Sequence, residues 1–252
     1  MEIDRHLDWD GCLNVRDLGG LPTRDGRVTR RGEVVRADSL DRLTPAGWAA
    51  LHAHGVRTVV DLREADERAD GIVRPAGITV VTVPLDDNDD SDFWYRCIDD
   101  DIDGTPLYYR PFLERKADRC VAAVRAVARA APGGVVVHCG IGRDRTGLVS
   151  LLLLSLARVT PEAVAADYAL SGERLQRYFA DGRPERGDPV VERLAERGTT
   201  IALVLGELLA GFDTETRLIE AGLGDGDVTA VRSRLVDGSH AEIAGTDIGV
   251  HP

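Results

Sequence analysis

Cys139 and Arg145 are the residues whose types and spacing could do chemistry together, with Gly140-Ile141-Gly142-Arg143-Asp144 between them. A bare C-x5-R pair is weak, since four Cys among so many Arg give roughly half a match per chain by chance. His138 before the Cys and Thr146-Gly147 after the Arg lower that to on the order of one in ten thousand. A loop that ends at a helix N-terminus turns successive backbone N–H groups toward an anion, and Gly140 and Gly142 let the backbone curl around a phosphate. Arg145 adds a planar fork for two phosphate oxygens and stays charged at any working pH. Cys139, at the base of this positive loop, is expected to be a thiolate and a nucleophile toward phosphorus. Thr146 can donate its hydroxyl to that sulfur. An inert core thiol is the alternative for Cys139.

These residues need a strand before them and a helix after them. Glu33 to Asp38, Arg57 to Leu62, Ile78 to Leu85 and Gly134 to His138 are short β-branched runs that read as buried strands. Thr44-Pro45 caps a helix to about His54, and Glu114 to Ala131 is apolar at helical spacing until Pro132-Gly133-Gly134 stops it. After Thr146 the pattern is helical, over 146–158, 160–171, 190–209, 213–221 and 227–236, with a polar loop at 182–189. The alternation predicts an α/β fold with a central, mostly parallel sheet flanked by helices and a helical C-terminal extension. A single domain over 1–236, helical over 160–236, and a flexible tail at 237–252 are expected.

Rival phosphate loops fail on their own spacing. A Walker A loop needs Lys-Ser/Thr after its last Gly, whereas Gly147 is followed by Leu148-Val149, and a dinucleotide G-x-G-x-x-G breaks at Arg145. The formal net charge of −12 disfavours a nucleic-acid polymer as partner. Nine Asp against the single Arg96 lie between Leu85 and Gly104, so much of the acidity is one segment. Met1 to Asp10 has no apolar stretch, and Leu148 to Ala157 is half of the ~20 residues that a membrane span needs. No membrane anchor is expected, and the reading is cytoplasmic. Cys12, Cys97, Cys120 and Cys139 match neither a disulfide framework nor a zinc site. They read as free thiols, with no metal and no cofactor.

HCGIGRDRTG resembles the signature of the cysteine-dependent phosphatases. With Asp beside the Arg, it is similar to the atypical bacterial tyrosine and lipid phosphatases. Asn14-Val15-Arg16-Asp17-Leu18-Gly19-Gly20 is similar to that family's N-terminal element, Val35-Arg36-Ala37-Asp38 and Asp61-Leu62-Arg63 to its strand-end motifs, and Asp167-Tyr168-Ala169-Leu170-Ser171 to a helix after the loop. The resemblance implies the cysteine-dependent phosphatase fold and a catalytic role for Asp144. The family commonly has Lys where this chain has Arg143, and that Lys is associated with the extra phosphates of phosphoinositides. Arg changes the geometry and could equally bind a substrate carboxylate.

A leaving oxygen must be protonated, and three Asp compete for that task, with Asp144 preferred. Asp144 lies in the loop, while Asp86 and Asp87 end the strand Ile78 to Leu85, where related phosphatases carry their acid. Gly140, Ile141, Gly142 and Arg143 are expected to bind substrate. Asn14, Arg16 and Asp17 either orient it or form a structural ion pair. Six of the twelve aromatics fall within 93–112 beside the acidic run, as a lid or as a satellite core would. The expected function is a metal-independent, tyrosine-phosphatase-like phosphomonoesterase with a cysteinyl-phosphate intermediate. Its alternatives are the same chemistry on a nucleoside or sugar phosphate or on phosphoinositides, and a phosphate-binding module without turnover.

Overall fold

The structure, a computed structural model, describes residues 4–179 and 187–237. The tail expected at 237–252 lies beyond Asp237 outside the described residues, as does the 182–186 part of the expected polar loop.

Four short strands rich in Val form the parallel part of the sheet: β2 (Val34–Ala37), β3 (Val56–Asp61), β4 (Thr79–Thr82) and β5 (Gly134–His138). A fifth, β1 (Arg16–Asp17), pairs antiparallel with β2 at one edge. The order is β1-β2-β5-β3-β4, with the β2-β5, β5-β3 and β3-β4 pairs parallel. Parallel strands covered on both faces need apolar side chains on both, and β5 is buried along its whole length. Because four strands run the same way, the segments after Ala37, Asp61, Thr82 and His138 emerge at one edge, where an open α/β sheet binds ligands.

Helices cover both faces. On one side α1 (Pro45–Ala53) starts at Thr44, whose side chain accepts from Gly47 N, and packs Trp48 and Leu51 with Trp9, Val59 and Val136. On the other, α3 (Tyr109–Arg115), α4 (Ala117–Ala128) and α5 (Asp144–Leu156) bury the larger core. The oily run Leu148 to Leu156 is thus a core helix. Then follow α6 (Pro161–Phe179), α7 (Pro189–Glu196), α8 (Ile201–Gly211), α9 (Thr214–Glu220) and α10 (Asp225–Arg232). Among the described residues no helix is long and apolar enough to cross a membrane.

Four expectations change. The buried strand expected over Ile78 to Leu85 is a short edge strand that ends at Thr82 with both its threonines exposed, so Asp86 and Asp87 lie in the turn beyond it. The helix expected over 190–209 is two, divided where Gly198 takes φ +68° and the Thr200 side chain caps α8 by accepting from Leu203 N. The helix expected from Glu114 is interrupted at Lys116. The acidic segment contains a helix, α2 (Ser91–Asp99), which buries Phe93 and Cys97. Phe93, Tyr108, Tyr109 and Phe112 are all buried and meet edge to face with centroids 5.0–5.9 Å apart, so these aromatics extend the core instead of forming a lid.

Candidate active site

Cys139 follows the last residue of β5, is 3% exposed, and opens the loop that leads into α5. Gly142 takes φ +71°, and a Cβ there would stand 2.5 Å from the Ala37 carbonyl oxygen, so only glycine fits. The carbonyls of the loop are fastened from outside. Gly140 O accepts from Ser39 N at 2.9 Å, Ile141 O from Asn14 Nδ2 at 3.0 Å, and Gly142 O from Arg36 Nη2 at 2.8 Å and Asn14 Nδ2 at 3.1 Å. In a planar trans peptide the N–H points opposite to the C=O. The amides of Ile141, Gly142 and Arg143 are therefore turned to the other side, as an anion cradle requires.

Behind the cradle lies a buried charge cluster. Asp167 on α6 pairs with Arg16 Nε at 3.0 Å, Arg36 Nη1 at 2.7 Å and Arg5 Nη1 at 2.8 Å. Burial pushes the Asp167 carboxyl up, but Arg16, Arg36 and Arg5 outweigh it and hold it far below the usual carboxylate range. Three guanidinium groups against one carboxylate leave excess positive charge beneath the loop, which favours an anion above it. Arg16 also donates to Asn14 Oδ1 at 2.6 Å and so orients the amide that holds the loop. Asp17 accepts from Gly19 N and Gly32 N, both at 2.7 Å, and meets His54 Nε2 at 3.1 Å. Asn14, Arg16 and Asp17 are thus buried bracing groups in this arrangement, and none presents its side chain at the mouth of the loop. Sequence reasoning gave Arg36 no role of its own; the strand-end motif that contains it was the available signal.

Arg145 faces two carboxylates. Both of its terminal nitrogens engage Glu67, with Nη2 at 2.6 Å from Oε1, and Nη1 lies 3.2 Å from Asp86 Oδ2. Glu67 ends a single turn after β3, and its main chain is held by Arg63, which also binds Asp61 and Asp41 at 2.8 and 2.6 Å. Burial raises the Glu67 carboxyl and Arg145 more than reverses this. Glu67 was not foreseen; only its place four residues after the Asp61-Leu62-Arg63 motif pointed to it. Asp86 is a different case. Burial pushes its carboxyl up to about 6 against the pull of Arg145, aided by Glu67, Glu64 and Asp144. Asp87, at φ +54°, turns instead to Arg119 at 2.8 Å and Lys116 at 3.5 Å. Only Asp86 of the strand-end pair reaches Arg145.

Within the loop, Asp144 Oδ1 lies 3.3 Å from the Tyr168 hydroxyl and 3.5 Å from Arg143 Nε, and burial raises its carboxyl. Arg143 is 5% exposed, binds Asp188 at 3.0 Å and stacks over Phe179 at 4.8 Å. Its charge is spent inside the protein. Thr146 Oγ1 is buried with no hydrogen-bond partner, so the donation to Cys139 expected from the sequence is not made here. His138 Nδ1 lies 3.2 Å from Cys139 O, its Nε2 lies 3.6 Å from Asp61, and burial pushes its pKa down, so it organises the loop. Loop, Arg145 and Asp86 thus lie together at one edge of the sheet, an arrangement able to hold a phosphoryl group and to protonate an ester oxygen beside it.

The chain is similar to known proteins along most of its length. The profile of the tyrosine phosphatase family matches residues 7–237. The chain is 30% identical over 258 residues to the triple specificity protein phosphatase PtpB of Mycobacterium tuberculosis, covering 90% of this chain and 81% of that protein. It is 31% identical over 157 residues to a tyrosine-protein phosphatase of Nostoc commune, covering 61% of this chain and 51% of that protein, about half its length. Crystal structures of TpbA from P. aeruginosa, one in complex with pTyr, are similar at 17% and 16% identity and TM-scores of 0.41 and 0.43, covering 77% and 79% of this chain and 89% and 91% of theirs.

Proposed function

Because the chain belongs to the tyrosine phosphatase family and is a cysteine-dependent phosphatase, we propose that Cys139 is its nucleophile toward phosphomonoesters and Asp86 its general acid. The observation that carries this reading is the set of three loop carbonyls fastened by Ser39, Asn14 and Arg36, which turns their amides toward the place for a phosphate above Cys139. The Cys139 sulfur attacks phosphorus. As the S–P bond forms, the ester P–O bond breaks and the leaving oxygen takes the proton of the Asp86 carboxyl. Loop amides and Arg145 stabilise the charge on the three equatorial oxygens. Water then attacks the phosphocysteine, returns a proton to Asp86, and releases phosphate and the Cys139 sulfur.

Asp86 is preferred to Asp144 because its carboxyl lies beside Arg145, whereas that of Asp144 faces Tyr168 and Arg143. Thr146, with its unpartnered hydroxyl, is available to the sulfur once charge develops there. The 1–236 span is taken as one phosphatase domain. Four free thiols suit a reducing compartment, and the cytoplasm is the proposed location. A compact soluble monophosphate is the second substrate reading beside phosphotyrosine, favoured by the neutralisation of Arg143 by Asp188.

The test is hydrolysis of p-nitrophenyl phosphate. Cys139→Ser is expected to abolish turnover and retain phosphate binding, and chelators are expected to leave the rate unchanged. Persistent turnover by Cys139→Ser would end this reading.

A further inference from the structure

Lys116 is the only lysine of the chain and is 3% exposed. It occupies the break between α3 and α4, next to the turn that carries Asp86. Its ammonium donates to the carbonyl oxygens of Asp86 and Asp87, both at 3.1 Å, and lies 3.3 Å from Asp90 Oδ2. Those three acceptors match the three N–H donors of an ammonium, and the Phe93 ring closes the site at 5.3 Å. Other groups fasten the same turn. Trp94 Nε1 donates to Asp86 O at 3.0 Å, Asp87 N donates to Glu64 Oε1 at 3.1 Å, and Arg119 binds Asp87 Oδ1 at 2.8 Å. The positive φ of Asp87 is a conformation that persists only where the surroundings hold it.

We propose that Lys116 is a positioning residue for the acid step: by clamping the Asp86–Asp90 turn, it holds the Asp86 carboxyl beside Arg145 with no loop closure required. The inference rests on the reading of Asp86 as the acid. The proton goes from the Asp86 carboxyl to the ester oxygen as the P–O bond breaks, and Lys116 keeps its own protons throughout. In a chain whose other basic side chains are all Arg, a lysine here has a physical reason. A compact ammonium can meet three converging acceptors, whereas a planar guanidinium directs its donors outward in one plane.

The experiment compares phenyl phosphate, whose leaving group needs its proton, with p-nitrophenyl phosphate, whose leaving group needs it far less. Lys116→Met is expected to lower kcat/KM, which reports the steps up to release of the leaving group, by about tenfold or more on phenyl phosphate and by less than about threefold on p-nitrophenyl phosphate, with a weakened pH dependence on the former. In an Asp86→Asn background it is expected to add no further selectivity. Lys116→Arg and Trp94→Phe are expected to show the same selectivity to a smaller degree, and they carry the test if Lys116→Met does not fold. Equal losses on both esters, or no loss, in folded Lys116 variants overturn the positioning role. If Asp86→Asn itself is unselective, the fault lies with Asp86 as the acid; if Asp86→Asn is selective and the Lys116 variants are not, only the role of Lys116 falls.

Discussion

Glu67 and Arg145 form an end-on ion pair through both terminal nitrogens of the guanidinium, joining the turn after β3 to the start of α5. The same guanidinium is the cation that an incoming phosphate needs. A carboxylate beside it lowers the net positive charge that the phosphate meets.

Glu67→Gln is therefore expected to tighten binding of inorganic phosphate, lowering its inhibition constant by roughly three- to tenfold at low ionic strength, with the gain shrinking as salt is added. Competitive inhibition at two salt concentrations checks this. Weaker phosphate binding in the variant would mean that Glu67 orients Arg145 more than it opposes the ligand.

The carboxyl of Asp86 gives two pH dependences of definite sign. An acid held at about 6 is protonated below that value, so kcat/KM for phenyl phosphate is expected to fall as pH rises through about 6. Folding is linked the same way. The native state holds its proton where the unfolded chain, near 3.9, has lost it, so the stability tied to this group is fully present below about pH 4 and is lost as pH rises through about 6. Asp86→Asn is thus expected to be more stable than the parent at pH 7.5, by at most about 3 kcal/mol, and to lose that advantage near pH 4. Urea unfolding at the two pH values measures it.

The loop itself was legible because its chemistry is contiguous: nest, nucleophile and Arg145 lie between Cys139 and Gly147 and follow a recognisable strand. Asp86 was legible as one of three candidate acids, though ranked behind Asp144 and placed at a strand end that in the structure comes at Thr82. Glu67, Arg36 and Lys116 were not, because their roles arise from pairings across the fold. Arg36 reaches the loop because β2 lies beside β5, with Ala37 opposite His138, and no local pattern records that adjacency. The α2 helix was hidden by its acidic flanks, since only Phe93 and Cys97 mark its buried face at helical spacing. The break at Gly198 was overlooked because apolar residues continue on both sides of it.

Asp167 is the counter-charge for the buried bracing cluster. Removing its charge in Asp167→Asn leaves Arg16 and Arg36 in the core without their partner, a change that costs about 3–5 kcal/mol in comparable buried pairs. Denaturant unfolding is expected to show a loss of that order. Because the carboxyl is held far below its ordinary value, its contribution is present above about pH 4 and fades only in strong acid. A loss below about 1 kcal/mol would show that the cluster relaxes onto other acceptors.

The bond between Asp188 and Arg143 bears on which phosphates the site accepts. Asp188 accepts from Val190 N at 3.0 Å at the start of α7 and comes so near α6 that a Cβ at Gly172 would stand 2.3 Å from its Oδ2. From there it neutralises Arg143, the cation that could otherwise attract a second phosphate. Asp188→Asn keeps a side-chain oxygen for the helix cap and removes only the charge. The ratio of kcat/KM for a soluble bisphosphate to that for an aryl monophosphate is expected to rise by about three- to tenfold in Asp188→Asn at low ionic strength, and less in added salt. Arg143→Ala in the same background is expected to erase the gain. Since Arg143 is also packed on Phe179 and buried, Arg143→Ala alone is expected to lower kcat together with raising KM, as loss of a loop support does and loss of a surface anchor does not. An unchanged ratio in Asp188→Asn would mean that Arg143 lies too deep to be read by any substrate, and selection among phosphates would then fall to groups at the rim.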